Sequence, residues 1–139
     1  MTKRELKQYL HQYRDLMAER RQIELMMKQL TEPKGLNPDG MPRSSGDGDV
    51  MASIVAQRSS LYLRYLAKCE ELDKTLTEIE NLIEQLDTRE RVLMRHRYIE
   101  GLEWEKVCVA MNYSWRQTHN IHSQALETLL KLEENNGRT

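Results

Sequence analysis

The sequence contains no phenylalanine and only three prolines, six glycines and two cysteines in 139 residues. So little proline and glycine argues against a turn-rich, many-stranded chain. With 39% hydrophobic and 31% charged residues, the balance favours helix over sheet. The two cysteines, Cys69 and Cys108, are too few and too far apart for a disulfide framework, which points to a reduced, cytoplasmic protein. No apolar run is long enough for a signal peptide or a membrane span, so no membrane partner is expected. An excess of one charge is also lacking. A formal net charge of −1 gives no bulk attraction toward a polyanion, and any such affinity must come from local charge.

Local charge is present. Residues 1–31 carry seven Lys/Arg against four Asp/Glu, whereas residues 50–87 carry four against seven. The rare helix breakers are clustered too: Pro33, Pro38, Pro42, Gly35, Gly40, Gly46 and Gly48 all fall in a stretch of 32–49, which reads as a loop. Before it, about Thr2 to Leu30, the apolar residues Leu6, Tyr9 or Leu10, Tyr13, Leu16 or Met17, Ile23, Met27 and Leu30 recur at three- and four-residue steps, broken by Arg20. After it, about Val50 to Leu86 with Asp49 as N-cap, Leu61, Tyr65, Cys69, Leu72, Leu76, Ile79, Ile83 and Leu86 repeat the pattern.

Two single-stripe helices of roughly 40 and 55 Å must bury their stripes, and an antiparallel hairpin does so. Leu63, Leu66 and Leu82 lie off the stripe of the second helix and leave apolar surface for a second copy of the chain, hence an expected homodimer.

Beyond Leu86 the elements shorten. Asp87 or Thr88 caps a helix to Ile99, Gly101 ends it, a short helix covers Glu103 to Met111, and a last helix runs from Ser114 to about Glu133. Asn112 suits the left-handed turn between the last two. Val92, Leu93, Tyr98, Leu102, Val107, Ala110, Met111, Ile121, Ala125, Leu126 and Leu129 are the candidate core. The expected architecture is therefore all-α: a long, coiled-coil-like antiparallel hairpin over 1–87, serving oligomerisation, followed by a helix-turn-helix domain over 88–139. In that motif the final helix enters the major groove of DNA.

The run RERVLMRHRYIEGLEWEKVCVAMNYSWRQTHNIHSQALETL resembles region four of bacterial sigma factors. More closely, MNYSWRQTHNIHSQAL and the loop motif DGMPRSSG resemble small phage-encoded regulators of Gram-positive hosts, of the ArpU and RinA late-gene activator type. The resemblance implies a regulator inside the bacterial host cell that binds double-stranded promoter DNA near the late genes and recruits host RNA polymerase. Carried over by position, the DNA-reading residues are Ser114, Trp115, Arg116, Gln117, His119 and Asn120. Trp115 stands where sigma factors usually have a polar or basic reader, and Asn112 where they often have glycine. With Arg116 the only permanent cation in the first two turns, a monomer makes few charged contacts, which again favours a dimer on paired half-sites.

The chemistry of these side chains agrees. Arg116 suits a bidentate contact to guanine, Gln117 or Asn120 one to adenine, and Ser114 a helix cap or a phosphate. Upstream, Arg89, Arg91, Arg95 and Arg97 are candidates for phosphate contacts.

Other chemistries find little support. His119 and His122 have no carboxylate or cysteine at ligand spacing, Asp47–Gly48–Asp49 lacks the rest of a calcium loop, and no phosphate loop or nucleophile–base pattern occurs. Neither an enzyme nor a cofactor is expected. The alternative is a coiled-coil assembly or DNA-packaging adaptor protein without promoter specificity; a polar, exposed start to the last helix discriminates against it.

Overall fold

A computed structural model describes residues 1–31 and 47–137; residues 32–46, which hold most of the expected loop, lie outside it. The described residues are all-helical, with no strand among them. Five α-helices occur: α1 (Lys3–Thr31), α2 (Asp47–Ile83), α3 (Thr88–Met94), α4 (Trp104–Met111) and α5 (Trp115–Gly137), with a π-helical segment at Arg95–Ile99 directly after α3. α2 starts at Asp47, so Asp49 sits in its first turn and does not precede it as the N-cap.

The chain forms two compact units, one of residues 1–15 with 72–139 and one of residues 16–71. In the first, Leu6 and Leu10 of α1 and Ile79 and Ile83 of α2 share a core with Leu93, Met94, Tyr98, Val107, Ile121, Ala125, Leu126 and Leu129. Burial of such side chains contributes roughly 1.5–3 kcal/mol each, which makes this cluster the main stabilising feature of the unit. Polar ties surround it: the Tyr9 hydroxyl donates to Glu78 at 2.9 Å, and Lys3 Nζ donates to Ser123 at 3.1 Å and pairs with Glu127 at 3.0 Å.

Asp87 caps α3 by accepting from the Glu90 N–H at 2.9 Å. Where α3 gives way to the π-helical segment, Glu100 N–H reaches back five residues to the Arg95 carbonyl at 2.9 Å. Gly101 follows with φ +75°, a conformation that favours glycine. A Cβ there would run into the Arg14 guanidinium, whose Nη1 donates to the Ile99 carbonyl at 3.3 Å.

Two residues expected in this core are outside it: Val92 and Ala110 are exposed. α3 turns Glu90, Leu93 and Met94 inward, which puts Val92 on the opposite side. Leu82, expected to be available to a second chain, is half-buried against the core.

In the second unit, Ile23 is buried, Leu61, Tyr65 and Cys69 are half-buried, and Lys68 Nζ pairs with Glu19 at 2.6 Å. Met26 and Leu30 face Gln57, Ser60 and Leu61 across a depression of about 460 Å³. Val50, Met51, Val55, Tyr62, Leu63 and Leu66 are exposed along α2. None of the described helices is long and apolar enough to cross a membrane.

Candidate nucleic-acid interface

The sequence between α4 and α5 is built to stop one helix and start another. Asn112 adopts φ 56°, ψ 43°, the left-handed conformation that its short polar side chain tolerates. Its N–H bonds the Val109 carbonyl at 3.2 Å and the Tyr113 N–H bonds Cys108 at 3.1 Å, a Schellman closure of α4. Two residues later Ser114 Oγ accepts from the Gln117 N–H at 3.2 Å, while Gln117 Oε1 accepts from the Ser114 N–H at 3.3 Å. This reciprocal capping box satisfies two donors at the start of α5 and fixes its entry angle.

The inner face of α5 is Thr118, Ile121, His122, Ala125, Leu126 and Leu129. Thr118 spends its hydroxyl on the Ser114 carbonyl at 2.8 Å, so it brings no unmet polar group into the core. His122 is the acceptor or donor for the Tyr98 hydroxyl at 2.7 Å. Burial, followed by the positive charge of Lys7, pushes the His122 pKa down to about 3, so its ring is neutral. Burial raises the Tyr98 hydroxyl to about 12.

The outer face carries Arg116, Gln117, Asn120 and Gln124, all exposed. Among the described residues, Arg116 and Asn120 make no side-chain hydrogen bond or ion pair. A shallow depression of about 190 Å³ is lined by Arg89 of α3 together with Tyr113, Gln117, Asn120, Ile121 and Gln124. A guanidinium and three carboxamides thus converge on one concave strip.

The remaining candidates are placed differently. His119 is half-buried between Trp104 and Trp115, with ring centroids 4.6 and 4.3 Å away. Its Nε2 is buried without a partner, and burial, then Lys7 and Arg97, lower its pKa. It supports a neighbouring ring and is not presented as a reader. Arg95 is held by Glu80 at 2.9 Å and by Glu84, which balance its charge within the chain. Arg91 donates to the Leu86 carbonyl at 2.8 Å and to Thr88 at 3.1 Å, tying down the start of α3. Arg97 lies 4.7 Å over the Trp104 ring and donates to the Leu102 carbonyl at 3.0 Å. Of the four arginines, only Arg89 shares the outer strip of α5.

Gln124 and Tyr113 belong to that strip and were not singled out from sequence. Gln124 stands four residues after Asn120 and seven after Gln117, a spacing that puts all three on one face of a helix. Trp104 was missed as well; nothing local to it signals the stack with His119, because the partner comes from another helix.

Residues 88–132 carry seven Lys/Arg against five Asp/Glu, with Glu90 buried and its pKa raised to about 7 by that burial and by Asp87. The region is thus basic within a near-neutral chain. No family model, curated protein or solved structure matches the sequence.

Proposed function

We propose that the protein is a sequence-specific regulator of transcription that binds double-stranded promoter DNA. In this reading α4, the Asn112 turn and α5 act as a helix-turn-helix carried on an antiparallel hairpin of α1 and α2. The observation that carries it is the start of α5: a capped helix whose Arg116 and Asn120 face solvent with no partner among the described residues. Such side chains on a narrow helix suit the major groove, where arginine recognises guanine and asparagine adenine. Arg89 beside the strip supplies a phosphate contact that sets register.

Arg116 and Arg89 are few cations for a specific complex, so two copies on adjacent half-sites are proposed, joined through the apolar row of α2. The resemblance to late-gene activators extends the reading to a cytoplasmic phage regulator that recruits host RNA polymerase. That row also favours the second reading, a coiled-coil assembly or packaging adaptor, because it serves self-association with or without DNA.

Enrichment from a pool of random duplexes, followed by a salt titration of the winners, separates the two. The regulator reading requires a recurring sequence element and an affinity that falls with salt at about 0.9 in log–log slope per phosphate contact. Recovery of random sequence only would leave the adaptor reading.

A further inference from the structure

Trp115 is 57% exposed in the first turn of α5, so most of a large apolar ring faces solvent. Its ring is nonetheless braced. His119 lies 4.3 Å from it, Trp104 lies 4.6 Å from His119, and the Arg97 guanidinium sits 4.7 Å over Trp104. This column of four groups runs from the Tyr98–His122 core to the surface, since Trp104 also packs on His122 at 4.5 Å. A side chain fixed in this way loses little rotamer freedom on binding, which is what a contact residue needs. Burial lowers the His119 pKa in the middle of the column, and what the column offers at the surface is the indole face of Trp115.

We propose that Trp115 is a specificity-determining residue that recognises the 5-methyl group of a thymine in the major groove. The proposal rests on the DNA-binding reading above and names part of its target. In an intact duplex the base faces are covered by their neighbours, and stacking a side chain between them costs a few kcal/mol of unstacking per step. Along the major-groove edges the thymine methyl is the apolar feature that an apolar ring can meet. The remaining polar groups of that turn, Ser114 and Gln117, are committed to the capping box and do not compete for the same edge.

The test uses the full-length protein and a duplex enriched by it from a random pool. Each thymine is replaced singly by deoxyuridine, which removes only the methyl group, and binding is read by fluorescence anisotropy. The expected result is one thymine whose replacement weakens binding about three- to tenfold, in line with one buried methyl plus the ring contact. Trp115→Ala should bind the thymine and uracil forms of that duplex equally. The uracil series on the unaltered protein needs no variant, and circular dichroism confirms that Trp115→Ala keeps its helices. If no uracil position weakens binding, or if Trp115→Ala retains the same uracil penalty, the assignment is overturned while DNA binding stands. Trp115→Ala that binds as tightly as the unaltered protein but loses polymerase recruitment would overturn it in favour of a protein contact. Failure to enrich any sequence would overturn the regulator reading itself.

Discussion

His122 gives the most direct handle on how the core beneath α5 is held. Its imidazole is buried, bonded to the Tyr98 hydroxyl at 2.7 Å, and lowered from 6.5 to about 3. The folded state therefore keeps it neutral, and as pH falls below 6.5 the unfolded chain takes up a proton that the folded one does not. Stability is present above pH 6.5 and is lost progressively toward pH 3, by about 5 kcal/mol in full at 1.36 kcal/mol per unit.

Between pH 7.5 and 5.5 the same linkage gives a loss of about 1.4 kcal/mol from this residue. His122→Gln supplies an amide in the same place that can bond Tyr98 and does not titrate. Urea unfolding of both proteins at pH 7.5, 6.5 and 5.5, followed by circular dichroism, isolates the effect, because groups common to both cancel in the difference. The unaltered protein should lose about 1.4 kcal/mol relative to the variant across that range. A difference that stays constant with pH would refute the burial of a neutral His122.

Glu90 should act in the opposite sense. Its pKa is raised from 4.5 to about 7, so the penalty for its charge is absent below pH 4.5, grows between pH 4.5 and 7 and is level above that; Glu90→Gln should stabilise the protein by up to about 3 kcal/mol at pH 8 and hardly at all at pH 4.5, as read by the same unfolding curves. Gly101→Ala should cost about 1–3 kcal/mol, because the residue has φ +75° and the new methyl meets Arg14; Gly101→Ala combined with Arg14→Ala should recover the steric part in thermal melts. Leu10→Ala in the fully buried core should cost about 2–5 kcal/mol in the same melts. Arg116→Ala should lose about 1–3 kcal/mol of discrimination between an enriched duplex and one with the guanine changed, while its circular dichroism spectrum stays the same; unchanged discrimination would remove Arg116 from the interface.

Much of the helical layout is legible in the sequence because it is local. The spacing of Leu6, Leu10, Ile79 and Ile83 marks inward faces, and all four are buried. Asn112 and Ser114 mark the end of α4 and the start of α5 through backbone chemistry that needs no tertiary information. What escapes is set by departures from ideal period and by distant partners. The π-helical turn at Arg95–Ile99 breaks the 3.6-residue repeat on which face assignment after α3 depends. Arg95 looks like a free cation until Glu80 and Glu84, eleven and more residues upstream, are seen to hold it. His119 looks like a reader until Trp104, on another helix, is found against its ring.

The most direct test of the central claim is a two-dimensional amide NMR titration of the full-length protein with an enriched duplex. If the start of α5 enters the groove, the largest shifts fall on Trp115, Arg116, Asn120 and Gln124, with Arg89 responding alongside. Shifts confined to the exposed row of α2 around Val55, Tyr62 and Leu66, with the α5 amides unmoved, would contradict it.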